Sequence, residues 1–303
     1  MRVGVIGVGH LGYHHARILR SLASEVTVFD AREARTAEVA SELGVAAASS
    51  ASELLSRVDA VVVASDTVTH HDVVMQALAA GCHTLVEKPI ASDSIQAARL
   101  ASEAERLGLV LAVGHVERFN PAVVAAGALI DSPMFVEAHR LAPFKHRGID
   151  VSVVMDLMIH DIDLVLSFVR SPVSEVHASG VAVLTDKVDI ASARVMFANG
   201  AVANLTASRI SREPMRKLRF FQQRGYVSID FAGRTVEALK VDGESIRPVP
   251  VVVTDADPLT CELQDFLSAC GGGGRPLVGA AEGVRAIRAA ELITSRMTTA
   301  GSA

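Results

Sequence analysis

The first thirty residues contain the pattern that most constrains the fold. A short apolar run, 2–6, leads directly into a Gly-x-Gly-x-x-Gly motif, and a helical pattern follows; the three glycines are Gly7, Gly9 and Gly12. The next apolar run ends in Asp30. This order of strand, glycine loop, helix, strand and acid is typical of a βαβ unit that binds a dinucleotide. The glycines permit close approach of the backbone, and the helix N-terminus offers N–H groups to a pyrophosphate.

The side chains around this loop predict which dinucleotide binds. Asp30 would hydrogen-bond the adenosine ribose and repel a 2′-phosphate, which favours NAD over NADP. Arg32, two residues further on, would soften that preference. We also assign His10 and Leu11, inside the loop, to the cofactor site. A glycine-rich turn that binds nothing is the alternative, and the surrounding pattern disfavours it.

Alternation of helices and strands continues to about residue 118, and two polar segments follow strands within it. Segment 65–70 comes after the buried run 60–64, and Glu87-Lys88-Pro89 comes after the run 84–86. Open α/β sheets bind ligands at the carboxyl ends of their strands. Pro89 also disfavours helical geometry at Lys88, so the lysine should stay extended at this edge. An exposed polar turn is the alternative for Glu87-Lys88-Pro89.

Beyond residue 118 the pattern changes to β-branched runs separated by turn signals. These runs are 173–184, 190–197, 201–209, 216–222 and 226–231, and Asn199-Gly200 is a strong hairpin signal. The sequence therefore predicts an α/β protein with a Rossmann dinucleotide-binding domain, 1–118. A C-terminal α+β domain, 119–303, should contain a mostly antiparallel, open-faced sheet. Its last helix, about 280–297, should pack back on the first domain.

Composition limits the classes of binding partner and the cellular compartment that we expect. The net charge of −5 and the sequence pI near 6.1 give no basic surface for nucleic acid or an anionic membrane. Three scattered cysteines suggest a reducing compartment. No apolar run is long enough to span a bilayer, and the first residues lack a signal-peptide pattern. We therefore expect a cytoplasmic protein.

The stretch 155–169 reads as a helix that is apolar nearly all round. At about 100° per residue, Asp156, His160 and Asp163 fall on one narrow face. Ionisable groups are rarely buried without a partner or a task. A structural cluster that neutralises the histidine and a catalytic group that uses it both explain the pattern.

Basic residues concentrate in two later segments of this acidic chain. One guanidinium group can donate two parallel hydrogen bonds to phosphate oxygens, which would suit the diphosphate of a nucleotide sugar. The candidates are Lys145, Arg147, Arg209, Arg212, Arg216 and Lys217. Ordinary solvated charge is the alternative. The paired histidines near residues 10–15 and 70–71 lack cysteine partners, so we expect no bound metal.

Three ordered motifs together resemble the Gfo/Idh/MocA oxidoreductases: the N-terminal glycine loop, Glu-Lys-Pro after the fifth strand, and Asp-x-x-x-His on a later helix. The resemblance implies that Lys88 and His160 face the nicotinamide of NAD, supported by Asp156. It also implies a set of residues along the cofactor cleft: Ser65, Asp66, Thr67, His70 and Glu87. Family members commonly assemble as dimers or tetramers through the open sheet.

Two stretches, 114–121 and 150–163, are more specifically similar to the bacterial UDP-N-acetylglucosamine 3-dehydrogenase branch, which is associated with amino-substituted lipid A sugars. This similarity implies oxidation of a nucleotide sugar at C3 and adds Arg118 and Asn120 to the expected substrate contacts. A dehydrogenase of a free sugar or inositol, an NAD-dependent glycosidase and a non-enzymatic NAD-binding regulator are the alternatives. Lys88, Asp156 and His160 together disfavour the regulator.

Overall fold

A computed structural model describes residues 1–144 and 151–299. The chain divides into two compact units. The first consists of Met1–Val116 and Leu259–Val284, and the second of Glu117–Pro258 and the residues from Arg285 onward. Leu259–Val284 thus joins the first unit, although the sequence placed all of 119–303 in one domain. The packing of the last helix on the first domain stays a prediction.

The first unit is built on a six-stranded, all-parallel sheet in the order β3-β2-β1-β4-β5-β6. Its strands are β1 (Arg2–Ile6), β2 (Glu25–Phe29), β3 (Ala46–Ala47), β4 (Ala60–Val63), β5 (His83–Glu87) and β6 (Leu111–Gly114). Its first helices are α1 (His10–Leu22), α2 (Glu33–Leu43), α3 (Ala51–Leu55), α4 (Thr67–Ala79) and α5 (Ser94–Leu107). Every residue of β4 is buried, as helices on both faces of the sheet require. This strand order is that of a Rossmann domain, as predicted.

Helix α4 begins earlier than the sequence suggested. The sequence was interpreted with 65–70 as a polar segment after a strand, whereas the helix begins at Thr67 after an extended Asp66. Thr67 and His70 therefore lie in the first turn of the helix rather than in a loop. The polar residues of this turn concealed it, because the sequence was interpreted from apolar spacing.

The second unit contains a nine-stranded sheet among its described residues, in the order β14-β13-β12-β11-β7-β10-β9-β8-β15. The strands are β7 (Phe135–Leu141), β8 (Val173–Val181), β9 (Ile190–Phe197), β10 (Val202–Ser208), β11 (Met215–Gln222), β12 (Gly225–Asp230), β13 (Thr235–Asp242), β14 (Ser245–Val249) and β15 (Met297–Thr299). The pairs β7–β10 and β8–β15 are parallel, and the other pairs are antiparallel. The predicted mostly antiparallel sheet is confirmed.

Alternate residues of the central strands form the core of this unit. The buried positions of β7, β9 and β10 pack with residues of two helices, α6 (Pro121–Gly127) and α7 (Ile159–Val169). The opposite face of the same strands is half-buried or exposed. Strands β13 and β14 were not predicted, because they are mostly exposed and carry few apolar residues.

Two local features of this unit are set by a few consecutive residues, and the second of them, the hairpin, was predicted from the sequence. Asn120 caps α6, since its Oδ1 accepts a hydrogen bond of 3.0 Å from the Ala122 N–H, and Pro121 occupies the first turn. Asn199-Gly200 joins β9 to β10 as a hairpin, with Gly200 at φ 85°.

The chain then leaves the second unit through α8 (Pro258–Cys270) and continues into α9 (Ala280–Ser295). The last helix was predicted at about 280–297, close to the observed limits of α9. None of the helices in the described part of the chain has the length and apolar character needed to cross a membrane.

Candidate active site

The glycine loop connects β1 to α1, and its three glycines have different reasons to lack a side chain. Gly7 adopts φ 84°, and a Cβ there would lie 2.6 Å from the Ser65 nitrogen. A Cβ on Gly12 would collide with the Gly7 carbonyl oxygen. A Cβ on Gly9 would meet no described atom within 4 Å. Gly7 and Gly12 are thus required by the fold itself, whereas Gly9 faces open space that a ligand can approach.

Asp30 ends β2 beside this loop. Its Oδ2 accepts a hydrogen bond of 3.0 Å from the Val8 N–H, and its Oδ1 accepts one of 3.0 Å from the Arg32 N–H. The Arg32 Nε also lies 3.2 Å from Oδ1, with its side chain 70% exposed. The carboxylate is therefore held at the edge of the glycine loop by backbone groups.

These residues fit a dinucleotide. The first turn of α1 contains no acidic residue, and the side chains of the described residues do not cap it. The N–H groups of that turn directly follow Gly9 in the chain, which suits a pyrophosphate. Asp30 supplies the carboxylate that a ribose requires. Gly7, Gly9, Gly12 and Asp30, all chosen from the sequence, are brought together at one edge of the sheet.

The loops after β4 and β5 are joined by a buried histidine. The ring nitrogens of His70 lie 2.8 Å from the Pro89 carbonyl oxygen and 3.0 Å from that of Ser65. Burial lowers the pKa of His70, although both carbonyls oppose the effect. His70 therefore ties the two loops together from inside. Ser65 and Thr67 are half-buried at the start of α4, whereas Asp66 is exposed.

The Glu-Lys-Pro segment has one inward and one less buried side chain. Glu87 is buried, and its Oε1 lies 2.7 Å from the Nε2 of His15 on α1. A Cβ on Gly114 would lie 2.8 Å from the Glu87 Oε2, so a side chain there would displace the Glu87 carboxylate. Lys88 is half-buried, and its peptide bond to Pro89 is cis. Glu87 thus anchors the segment that presents Lys88.

The Asp-x-x-x-His motif begins in a π-helical turn, Val154–Met158, which continues directly into α7. Because a π-helical turn holds more residues than an α-helical turn, the predicted spacing of 100° per residue is wrong between Asp156 and His160. Both side chains are half-buried. Short π-helical insertions of this kind occur frequently at functional sites.

Beside this turn, two buried ion pairs hold α7 in place. Asp163 accepts a hydrogen bond of 2.8 Å from the Arg118 Nε. Asp161 binds Arg140 of β7 through both of its carboxylate oxygens, and Arg140 also donates to Glu117 at 2.9 Å. Burial opposes the charge of Arg140, but Asp161 and Glu117 outweigh it and raise the pKa of Arg140 above its ordinary value.

Comparison with known proteins assigns both units to one protein family. Residues 1–115 match the model of the oxidoreductase family with an NAD-binding Rossmann fold, and residues 115–228 match that of the GFO/IDH/MocA C-terminal domain. The chain belongs to the Gfo/Idh/MocA family. The oxidoreductase assignment made from the sequence is confirmed at this level.

Individual relatives of this family include a nucleotide-sugar enzyme. The chain is 44% identical over 276 residues to UDP-N-acetylglucosamine 3-dehydrogenase of Acidithiobacillus ferrooxidans, covering 89% of this chain and 88% of the relative. A solved structure of that enzyme superposes with a TM-score of 0.93 at 41% identity, covering 98% of this chain and 97% of the other. The scyllo-inositol 2-dehydrogenase (NAD(+)) of Bacillus subtilis is 30% identical, over 92% of this chain and 88% of its own.

In this member of the Gfo/Idh/MocA family, the residues expected to contact substrate or cofactor lie in different surroundings. Arg118 lies in the ion pair with Asp163, and Asn120 caps α6 while its Nδ2 donates to Glu117 at 3.1 Å. Arg209 is buried, and its Nη2 donates to the Val151 carbonyl oxygen at 2.7 Å. Lys145 and Arg147 lie outside the described residues. His10 and Leu11 are exposed at the start of α1.

Sequence reasoning missed the ion-pair partners of α7. Arg140 is an inward-facing residue of β7, at a position where the alternation calls for an apolar side chain. A charged residue at such a position is the signal that would have predicted a buried ion pair. Glu117 carried no comparable signal, since it precedes the first helix of its unit in a short 3₁₀ turn.

Proposed function

We propose that this protein oxidises a hydroxyl group of a nucleotide sugar to a ketone, and that UDP-N-acetylglucosamine, oxidised at C3, is its substrate. The observation that carries this proposal is the similarity to the Acidithiobacillus enzyme of that name, which extends over nearly the whole chain. The 114–121 and 150–163 stretches, which resemble the same branch, support the same substrate. The more distant inositol dehydrogenases support the oxidation of a hydroxyl group but not the choice of a nucleotide sugar as substrate.

The proposed mechanism divides the substrate hydrogen atoms between two acceptors. His160 takes the hydroxyl proton as general base, and Asp156 orients it. Lys88 donates a hydrogen bond to the oxygen as negative charge develops there, which stabilises the transition state more than the bound alcohol. When bound, the nicotinamide cofactor supplies the acceptor for the hydride that leaves the sugar carbon. Loss of the proton and the hydride together converts the alcohol to a ketone.

The surroundings of these residues support the roles. Asp156 lies in the π-helical turn and His160 at the start of α7. The ion pairs of Asp161 and Asp163 hold that helix in position. Residues whose orientation is fixed by packing can act on a substrate without further reorganisation. Glu87 fixes the segment that carries Lys88 in the same way.

For the diphosphate of the substrate we propose Arg209, together with Lys145, Arg147, Arg118 and Asn120. Arg209 donates to the Val151 carbonyl just before the π-helical turn, so its guanidinium group is oriented by the backbone. Replacing Arg209 with lysine keeps the charge but removes the planar fork. We expect a higher KM for the nucleotide sugar with little change in the KM for NAD. An unchanged KM for the sugar would remove Arg209 from the site.

For the cofactor we propose NAD. The Asp30 carboxylate lies at the ribose position of the Rossmann pattern, and its negative charge would repel a 2′-phosphate. Arg32 is exposed next to it and would attract such a phosphate, so some use of NADP is compatible with the site. The expected preference is measured directly as the ratio of kcat/KM values for the two cofactors.

The test is NADH formation from NAD with UDP-N-acetylglucosamine, run beside UDP-glucose, myo-inositol and free hexoses. A carbonyl trap or a coupled aminotransferase should be present, because the equilibrium opposes the ketone. NADH from the acetylated nucleotide sugar alone, with a 3-keto product, is the expected result. Turnover of only a free sugar or inositol would contradict the substrate, and release of free sugar without NADH would indicate a glycosidase.

Lys88→Ala supplies the internal control of this assay. Removing one donor to a developing oxyanion costs about 100-fold to 1,000-fold in kcat. Lys240→Ala, on the exposed side of β13, removes the same side chain elsewhere and should leave kcat unchanged. Equal rates in the two variants would exclude the role of Lys88.

We further propose that the protein acts in the cytoplasm, supplies an amino-substituted lipid A sugar and assembles as a dimer or tetramer. The exposed face of the nine-stranded sheet supports the last point. Light scattering on the purified protein distinguishes an oligomer from a monomer, and a monomer at working concentration would contradict it.

A further inference from the structure

Helix α8 brings a third ionisable group to the anchor of the Glu-Lys-Pro segment. Glu262 of α8, His15 of α1 and Glu87 of β5 are all buried in the first unit. One nitrogen or oxygen atom from each of the three side chains lies within 4.8 Å of the other two. The three side chains lie together at the end of β5, immediately before Lys88. The sequence-based interpretation used Glu87 but neither of the other two residues.

Glu262 is the unusual member. It is 2% exposed, and neither of its carboxylate oxygens accepts a hydrogen bond from a described residue. An ionised carboxylate without a partner is costly in such surroundings. Burial, and after it the negative charges of Glu87 and Asp265, raise the pKa of Glu262 well above its ordinary value. Two adjacent buried carboxylates cannot both ionise cheaply, so Glu262 should hold a proton.

We propose that Glu262 is a positioning residue, a neutral carboxylic acid that stands against the His15–Glu87 pair and so holds the segment presenting Lys88. The part of this proposal that concerns turnover rests on the function proposed above for Lys88. The part that concerns the proton on Glu262 stands without it.

The geometry favours a proton over a metal ion. The distance of 2.7 Å between the His15 Nε2 and the Glu87 Oε1 is that of a hydrogen bond between the two groups. A metal-bound histidine almost always donates its other ring N–H to a partner. The Nδ1 of His15 has no such partner among the described residues. His15 and Glu87 therefore satisfy each other, and a neutral Glu262 completes the group without excess charge.

The consequence of charging Glu262 follows from its position. Glu87 keeps its place through His15, through close packing on Gly114 and through the Lys88 N–H, which lies 3.3 Å from its Oε2. A second negative charge within 4.8 Å would push Glu87 away from these contacts. Lys88 follows Glu87 directly in the chain and would move with it. His15 is three residues past Gly12, so the same charge would also disturb the glycine loop.

The experiment compares Glu262→Gln, Glu262→Ala and Gln264→Ala in the full-length protein. Glutamine keeps the size and the neutrality of a protonated glutamate, whereas alanine leaves a cavity. Gln264 is exposed on the same helix and controls for substitution there. Three measurements are made on each variant: the infrared band of a protonated carboxyl at neutral pH, NADH affinity, and kcat as a function of pH.

The wild-type minus Glu262→Gln infrared difference should contain the band of a buried protonated carboxyl. In wild type we expect kcat to decline at alkaline pH, where Glu262 loses its proton. Glu262→Gln should keep kcat within about twofold at neutral pH and should lack this decline. In Glu262→Ala, kcat should fall about tenfold to 100-fold, since small displacements of a reacting group cost this much. Gln264→Ala should match wild type in every measurement.

Two results would overturn the proposal. One is the absence of the carboxyl band, with Glu262→Gln as impaired as Glu262→Ala, which would mean that an ionised Glu262 is needed. The other is stabilisation of wild type by Zn²⁺ or Mn²⁺, reversed by a chelator and absent in Glu262→Gln, which would indicate a metal site. If the sugar assay fails altogether, the infrared band and NADH affinity still decide the state of Glu262, so the two proposals fail separately.

Discussion

Arg140 and Asp161 form a two-point ion pair inside the second unit, with the Arg140 Nε 3.0 Å from Oδ2 and the Nη2 2.9 Å from Oδ1 of Asp161. Asp161 directly follows His160, the residue proposed as general base. The ion pair joins β7 to α7, and Glu117 accepts a hydrogen bond from the third nitrogen of the guanidinium group, Nη1. A buried guanidinium group thus fixes the helix that carries the proposed general base.

Breaking this ion pair should be costly. Arg140→Met leaves Asp161 buried without its partner, and removing one partner of a buried pair costs about 3–5 kcal/mol in the free energy of unfolding. Arg219→Met is the matched control, since Arg219 pairs with Glu137 at 3.4 Å on the more exposed face of β11. That pair should contribute less than about 1 kcal/mol. Urea unfolding of both variants measures the difference, and equal losses would contradict the buried role.

The glycine loop should separate the needs of the fold from those of the cofactor. Gly9→Ala places a methyl group in open space, so the melting temperature should stay unchanged while NADH affinity falls at least about tenfold. Gly12→Ala forces a methyl group onto the Gly7 carbonyl oxygen and should cost about 3 kcal/mol in stability. Calorimetry and NADH titration on both variants make the comparison. Normal NADH binding by Gly9→Ala would mean that the pyrophosphate lies elsewhere.

Cofactor preference should depend on Asp30 and Arg32 together. Asp30→Ala should weaken NAD binding about tenfold or more, because a hydrogen bond to a charged group contributes about 1.5–3 kcal/mol. The same change should improve NADP binding, since Arg32 loses its carboxylate partner and can bind a 2′-phosphate. Adding Arg32→Ala should abolish that improvement. Unchanged NAD affinity in Asp30→Ala would remove the ribose assignment.

General-base catalysis should depend on His160 and not on surface histidines. His160→Asn should lower kcat by about 100-fold to 10,000-fold, the range that a positioned proton acceptor contributes. Its NADH affinity should remain that of wild type. His177→Asn, on the exposed side of β8, provides the control for the same substitution. A near-normal kcat in His160→Asn would assign the proton transfer to another group.

Acid should weaken the second unit through Asp189. Burial alone would raise the pKa of this residue, but hydrogen bonds from Val183, Leu184 and Thr185 outweigh it and lower the pKa to about 2. A depressed pKa stabilises the fold above the pKa of the unfolded chain, and the stabilisation disappears as the pH falls from about 4 to about 2.

This contribution amounts to about 2 kcal/mol, which Asp189→Asn should lack at every pH. Urea unfolding of wild type and Asp189→Asn at pH 7 and near pH 2 tests the expectation. The two proteins should differ at pH 7 and converge in acid. A constant difference across this range would show that the hydrogen bonds do not depend on ionisation.

Patterns that depend on neighbouring residues were predicted well. The glycine loop with Asp30 and the Asn199-Gly200 hairpin were each predicted from the sequence. In each case a few consecutive residues decide the backbone conformation, through steric freedom or a short-range hydrogen bond. The strand order of the first unit followed from the same pattern, because parallel strands joined by helices permit few arrangements.

The partners of the buried charges were decided by the tertiary structure. Nothing near Asp161 predicts Arg140, and nothing near Glu87 predicts Glu262, because these residues come from separate elements that only the packing of the core brings together. The π-helical turn before α7 also escaped prediction, since apolar spacing was interpreted with a regular helix. The amino-acid sequence by itself thus determined which chemistry this protein carries. The tertiary structure decided how that chemistry is held in place, because the free energy of a buried charge depends on neighbours that are distant in sequence.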